Sequence, residues 1–432
     1  MVSSPCSRNG LRGALRAALP PLAGLFFWSG SPVLHALTLD EAVALAQMRS
    51  PAVAASESEA RALRELAVQA GTRPDPMLRL SLNNLPVNGT DRWSTTRDFM
   101  TMRSVGVEQA LPSSGKREAR RAERDRQADA QLAQAAAQAA TARREAAWAW
   151  WDLRAAGLRR QAIQAQTIHA ADLLLAAEAA WRGGRGSASA LIAARDDGLR
   201  LQQALLAAIE EQEIARTALK RWTQVVPEQL PEAPAIDTEL PTDTTLLTQH
   251  PEGLVAQART AATRAMASLA DAERSPDWSV ELMYSRRGSR YTDMVSVGLS
   301  IPLTLDRAHR QDRELAARLA EADAREAEAE DVQRELARQF QTWRSQWRSA
   351  LARRELIDSQ REPLARQRVQ AVFAAYRTGQ EPMASVIEAQ QDALALALER
   401  IDVELSAARA WSALAFALPS SRQLVTAAGD RP

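Results

Sequence analysis

The chain has 432 residues, in which 54 Lys and Arg nearly balance 53 Asp and Glu, leaving a formal charge of +1. Nucleic-acid proteins carry a clear basic excess, so this balance argues against that class. A single cysteine, Cys6, excludes an intramolecular disulfide or a cysteine-rich metal centre. His35, His169, His250 and His309 are scattered, whereas zinc sites need clustered ligands, so no tight metal site is expected.

Residues 1–36 read as an export signal. Arg8, Arg12 and Arg16 form a positive start, Leu19 to Trp28 an apolar stretch, and Leu34-His35-Ala36 a plausible cleavage site. Cys6 precedes the apolar stretch, so it would leave with the signal and cannot serve as a lipoprotein cysteine. The alternative, a membrane anchor, is opposed by Pro20-Pro21 and by a run short of the ~20 residues a span needs. Nothing later reaches that length. If this protein sits in a membrane, it does so as a β-barrel.

The remaining chain reads as a duplication. Thr38 and Asp40-Glu41 open a helix that breaks at Ser50-Pro51 and resumes to Gly71. Thr242-Asp243 opens a similar one, broken at His250-Pro251 and running to Arg274. Pro74-Asp75 and Pro276-Asp277 each lead into alternating sequence, which is followed in both halves by a long Ala-, Glu- and Arg-rich segment. These segments end in glycine turns, Trp181-Arg182-Gly183-Gly184 and Tyr376-Arg377-Thr378-Gly379. The implied division is 37–223, a proline-rich equatorial linker at 224–241, a second repeat at 242–418, and a tail at 419–432.

From Ser113 to Trp181 there is no proline, so a helix of roughly 100 Å is predicted. Asp306 to Tyr376 contains only Pro363 and is expected to form the second such helix. Helices this long must pack side by side rather than enclose a compact core. Composition alone would also suit a soluble periplasmic coiled-coil scaffold.

Four alternating stretches oppose that reading: Met77 to Asn83, Thr101 to Gln109, Trp278 to Ser285 and Met294 to Ile301. Period-two alternation gives each one apolar and one polar face. Four strands cannot close a barrel, and an open sheet edge is untenable in lipid. Three chains would supply twelve strands, with apolar faces toward lipid and polar faces toward a water-filled lumen. The expected fold is mainly α, with long helical hairpins forming a periplasmic α-barrel beneath a trimeric 12-stranded transmembrane β-barrel. The loops Leu85 to Phe99 and Arg286 to Asp293 would lie outside the cell. Trp93, Trp278, Tyr284 and Tyr291 are candidate interfacial aromatics.

In this order of elements and in both glycine tips, the chain resembles the TolC family of outer-membrane efflux proteins over nearly its whole mature length. Asn84-Leu85-Pro86-Val87-Asn88-Gly89, Asp98-Phe99-Met100-Thr101-Met102 and Gly115-Lys116-Arg117 look like its heavy-metal, CusC- and CzcC-like branch. The resemblance implies a homotrimer in outer-membrane lipid, extending into the periplasm of a Gram-negative cell. It would work with a periplasmic adaptor (membrane fusion protein) and an inner-membrane RND pump. Energy comes from the pump, so neither catalytic residue nor cofactor is implied. The cargo would be a heavy-metal cation (Cu/Ag or Co/Zn/Cd), with drug efflux or type I protein secretion as the alternative.

The same resemblance places the gate at the tips. Tyr376, Arg377 and Gly379 match it on one side, and Arg182, Gly184 and Arg185 on the other. The family's arginine partner of the tyrosine falls on Glu381 here, and its aspartate on Ala190. Of two acidic ring positions one is Ser385 and the other Glu388. Glu381 is therefore expected to pair with Arg182 or Arg185, and three Glu388 carboxylates to favour cations. Met77, Met100, Met102, Met283 and Met294 share the parity of the polar positions, suggesting a weak sulfur-lined path for soft ions. The alternative is gap-filling between hairpins. Asp196-Asp197, neighbours on a helix, are expected on a solvated face.

Overall fold

The computed structural model describes residues 37–227, 230–236 and 245–417. The expected export signal, Thr242-Asp243 and the 419–432 tail fall outside them.

Side-chain caps set most helix starts. Thr38 and Glu41 exchange bonds in a capping box that opens α1 (Leu39–Met48). Ser50, followed by Pro51 in the first turn, opens α2 (Pro51–Gly71). Ser113 caps α3 (Ser114–Arg182), a single helix of 69 residues, and Ser187 caps α4 (Ala188–Thr223), which runs back along it. In the second half come α5 (Thr245–Thr248) and α6 (Pro251–Ala272), the latter capped by His250. They are followed by α7 (Gln311–Leu356), α8 (Glu362–Arg377) and α9 (Met383–Ala415).

The second long segment departs from expectation twice. It starts at Gln311 rather than Asp306, because 305–310 form a turn in which His309 pairs with Asp306 at 2.7 Å and Arg307 binds Asp312 at 3.0 Å. It is also interrupted by a π-turn, Ile357–Arg361, in which Glu362 N–H donates to the Ile357 carbonyl. Pro363 explains the interruption: it has no N–H, and its ring would crowd the carbonyl four residues back. Helix α9 braces the turn through Arg400–Asp358 at 2.6 Å and Arg361–Glu399 at 2.7 Å.

Helix α3 packs on α2 and α6 along one part and on α4 and α9 along another. The main core lies where these sets meet. Trp150, Trp151, Leu219, Trp347, Ile357 and Val403 fill it, and fully buried Ala146, Ala147, Ala407 and Ala408 let the helices approach closely. Two extended segments are pinned there. Trp150 Nε1 donates to the Leu37 carbonyl at 2.8 Å, and Trp347 Nε1 to that of Ile236 at 2.9 Å. A second cluster, around Leu173, Leu191, Met383, Val386 and Ile387, joins the two tips.

Strands β1 (Met77–Asn83), β2 (Met102–Leu111), β3 (Trp278–Arg286) and β4 (Met294–Ser300) form one antiparallel sheet in that order. Strand β2 runs two residues beyond the predicted end, and β3 and β4 each differ by one. The hairpins meet through β2 and β3, leaving β1 and β4 as open edges. Buried Lys116, in the first turn of α3, sets the approach to β3. Its Nζ donates to the Ser275 carbonyl and to Asp277 Oδ1, each at 2.7 Å. No helix among the described residues is long and apolar enough to cross a membrane.

Candidate functional site

The sheet is inside out for a protein in water. In β2, Ser104 and Gly106 are buried while Val105 and Val107 are exposed; in β3, Ser285 is buried while Val280, Leu282 and Tyr284 are exposed. The apolar face continues through Leu80, 73% exposed, and Val297, 75% exposed. Trp278 and Tyr284 mark the two ends of this band on β3, six residues or about 20 Å apart. Trp93 and Tyr291 are also exposed but lie in the loops, Trp93 in a left-handed conformation and Tyr291 under the Arg287 guanidinium.

The polar face is organised in cross-strand rows. Ser81, Ser104, Ser285 and Met294 form one, with the Ser104 and Ser285 hydroxyls 2.8 Å apart and bonded. A second contains Met77, Glu108, Glu281 and Gly298. Two carboxylates directly opposite would repel. Arg79 lies between them, bridged to Glu108 and 3.9 Å from Glu281. This charged row was not anticipated: each acid has polar parity, but only the register reveals that they face each other.

The methionines are placed unevenly. Met77, Met102, Met283 and Met294 lie on the polar face, one per strand, and no two are cross-strand partners. Met100, expected to share that parity, falls in the loop before β2, where its N–H donates to Asp98. No cluster of sulfur ligands results. Among the described residues, no three of His, Cys, Asp and Glu converge as a metal site.

At the tips, Gly184 (φ 68°) and Gly379 (φ 76°) take left-handed conformations that close the turns. Tyr376 packs half-buried against the Leu173–Leu191–Met383 cluster. Glu381, Arg185, Tyr376, Arg377 and Gly379 line one cavity of about 560 Å³. The expected Glu381–Arg182 pair is not formed within the chain. Arg182 instead binds Glu178 one helical turn back, at 3.1 Å, and Glu381 accepts from the Ser385 hydroxyl at 2.8 Å. Arg185 shares the cavity but makes no ion pair with Glu381. Glu388 is exposed, yet it is 3.3 Å from Arg368, which also bridges Asp392.

Asp196 and Asp197 diverge, and the expected solvated environment holds for Asp196 but is corrected for Asp197. Asp196 pairs with Arg200 at 2.6 Å. Asp197 is buried and accepts from Gln391 at 2.7 Å, tying α4 to α9.

Residues 244–419 match the family described as Outer membrane efflux protein. Among solved structures, the chain is similar to the outer-membrane channel OprN, with a TM-score of 0.75 and 20% identity, over 88% of this chain and 89% of that one. It is similar to the outer membrane protein VceC from Vibrio cholerae, at 0.71 and 18%, over 88% and 94%. It is also similar to CusC, at 0.70 and 15%, over 88% and 91%. No curated protein matches the chain. At such identities the structural likenesses establish the fold. Residues 244–419 are therefore similar by sequence to the outer membrane efflux protein family, and the described chain shares the fold of these solved outer-membrane channels.

Proposed function

We propose that the protein is one subunit of a homotrimeric outer-membrane duct, delivering cargo from a periplasmic adaptor and an inner-membrane RND pump to the cell exterior. The observation that carries this reading is the inverted sheet, with Val105, Val107, Val280, Leu282 and Tyr284 exposed on one side of the central strands, and buried Ser104, Gly106 and Ser285 with the Arg79–Glu108–Glu281 charge cluster on the other. In water such a sheet would be unstable; in lipid it is the stable arrangement. The open β1 and β4 edges call for neighbours, and three copies give twelve strands. The tips and their cavity are where the adaptor would dock. The duct is passive and performs no chemistry.

For cargo, soft or borderline metal cations are favoured over organic drugs. Four thioethers and two carboxylates on the polar face offer weak ligands in separate rows, and a conduit needs sites that release.

The test is membrane fractionation of cells making the full chain, followed by electrophoresis with and without heating. A heat-dissociated trimer from the outer membrane is expected; a monomer in the soluble fraction would overturn the reading. For the cargo, a deletion strain should lose copper or silver tolerance and keep drug tolerance. The reverse pattern would reassign the cargo to drugs.

A further inference from the structure

Arg103 and Arg286 are cross-strand partners on the two central strands. Both are exposed, and their row continues into Leu82, so they stand on the apolar face rather than the polar one. Like charges placed directly opposite repel. A guanidinium on a lipid-facing surface is tolerated only near the headgroup level, and these two sit at the loop end of the sheet, where that level would be.

Neither arginine has an anionic partner. Arg103 donates to the Arg287 carbonyl at 3.2 Å, and neither enters an ion pair among the described residues. The carboxylate next in register to Arg286, Asp293, is taken by the Tyr284 hydroxyl. Beside the two guanidinium groups is a shallow hollow of about 450 Å³, to which Leu80, Leu82, Val105 and Tyr284 contribute apolar walls. Two unpaired forks above an apolar floor match a phosphate joined to an acyl chain. A free phosphate would have no use for the floor, and a neutral lipid none for the arginines.

We propose that Arg103 and Arg286 clamp the phosphate of an outer-leaflet lipid whose acyl chain lies along Leu80, Leu82 and Val105. Because β2 and β3 are the inner strands of the sheet, the clamp is complete within one subunit and lies away from the subunit seams. The proposal rests on the outer-membrane reading above.

The test uses the full chain purified as a trimer in neutral detergent, with bound lipids counted by native mass spectrometry. The probes are a diphosphorylated glycolipid (lipid A), the same lipid freed of its phosphates, and inorganic phosphate. Up to three phosphorylated lipids per trimer are expected, with affinity reduced about tenfold or more in R103Q/R286Q. Should that pair fail to assemble, Arg286→Gln alone, which leaves the Arg103–Arg287 bond in place, is read the same way. Unchanged binding by the glutamine variant, equal binding of the phosphate-free lipid, or displacement by equimolar inorganic phosphate would each overturn the proposal. A soluble monomer, seen before any lipid is added, would instead overturn the channel reading on which it stands.

Discussion

The Trp150 indole N–H donates to the carbonyl of Leu37 across 113 positions of sequence, at 2.8 Å and out of contact with solvent. Trp347 repeats the arrangement with Ile236. In both cases a long helix holds the extended segment that leads into its own half of the chain. Trp150→Phe keeps most of the apolar area and strands a buried carbonyl, at a cost of about 1–3 kcal/mol. Denaturant melting followed by tryptophan-independent circular dichroism should show that loss, and a similar one for Trp347→Phe.

Gly288 offers a sharper test of how the two loops pack. A Cβ at this position would lie 1.8 Å from the Thr96 carbonyl oxygen, so the backbones touch there. Gly288→Ala should separate the loops and speed proteolysis within residues 85–99 of the purified protein. Thermal stability of the helices should stay unchanged. Equal cleavage rates for variant and wild type would refute the contact.

His250 caps α6 through Nδ1, which accepts from the Glu252 N–H at 3.3 Å and must be unprotonated to do so. Burial, chiefly, pushes its pKa below the ordinary 6.5, and nearby Arg144 pushes the same way; Glu252 opposes them. Below pH 6.5 the unfolded chain therefore binds a proton that the folded chain resists, and stability falls as pH drops through that range. His250→Asn keeps a capping oxygen without a titrating group. It should remove the part of the pH 5–7 stability slope that this histidine contributes, as read from melting temperatures.

Arg368 lies within bonding range of Glu388 and also holds Asp392, so the carboxylate proposed for the pore ring carries its own counter-charge. Arg368→Ala should raise the cation-to-anion permeability ratio in planar bilayers, and Glu388→Gln should lower it. The pair is exposed, so either change should alter stability by no more than about 1 kcal/mol. If neither variant shifts the ratio, Glu388 does not face the conducting path.

Much of the fold was legible because local chemistry dictates it. Thr38, Ser50 and Ser113 are capping residues at their observed positions, Pro51 follows its cap, and β1 has the predicted bounds. Facts that depend on two distant segments were not legible. Glu108 and Glu281 become a pair only once β2 and β3 are in register. Asp197 resembles its neighbour Asp196 in sequence, yet one meets Gln391 in an interface and the other meets Arg200. Within one chain, the partner of Arg182 was hidden for a related reason. Glu178, one helical turn back, lies on the same helix face and takes Arg182 at 3.1 Å. Pro363 stood inside a segment read as one helix, and sequence does not say whether a proline ends, kinks or widens a helix.

That widened turn has a mechanical consequence. Inserting one residue advances a helix by about 100° of phase, so α8 offers a different flank to its surroundings than α7 would if continued. Helix α3 has no such joint in its 69 residues. One limb of the tip is thus a continuous strut and the other is articulated at Ile357–Arg361, stapled there by Arg400 and Glu399. A load applied at the tips would be taken up first as flexure in the jointed limb.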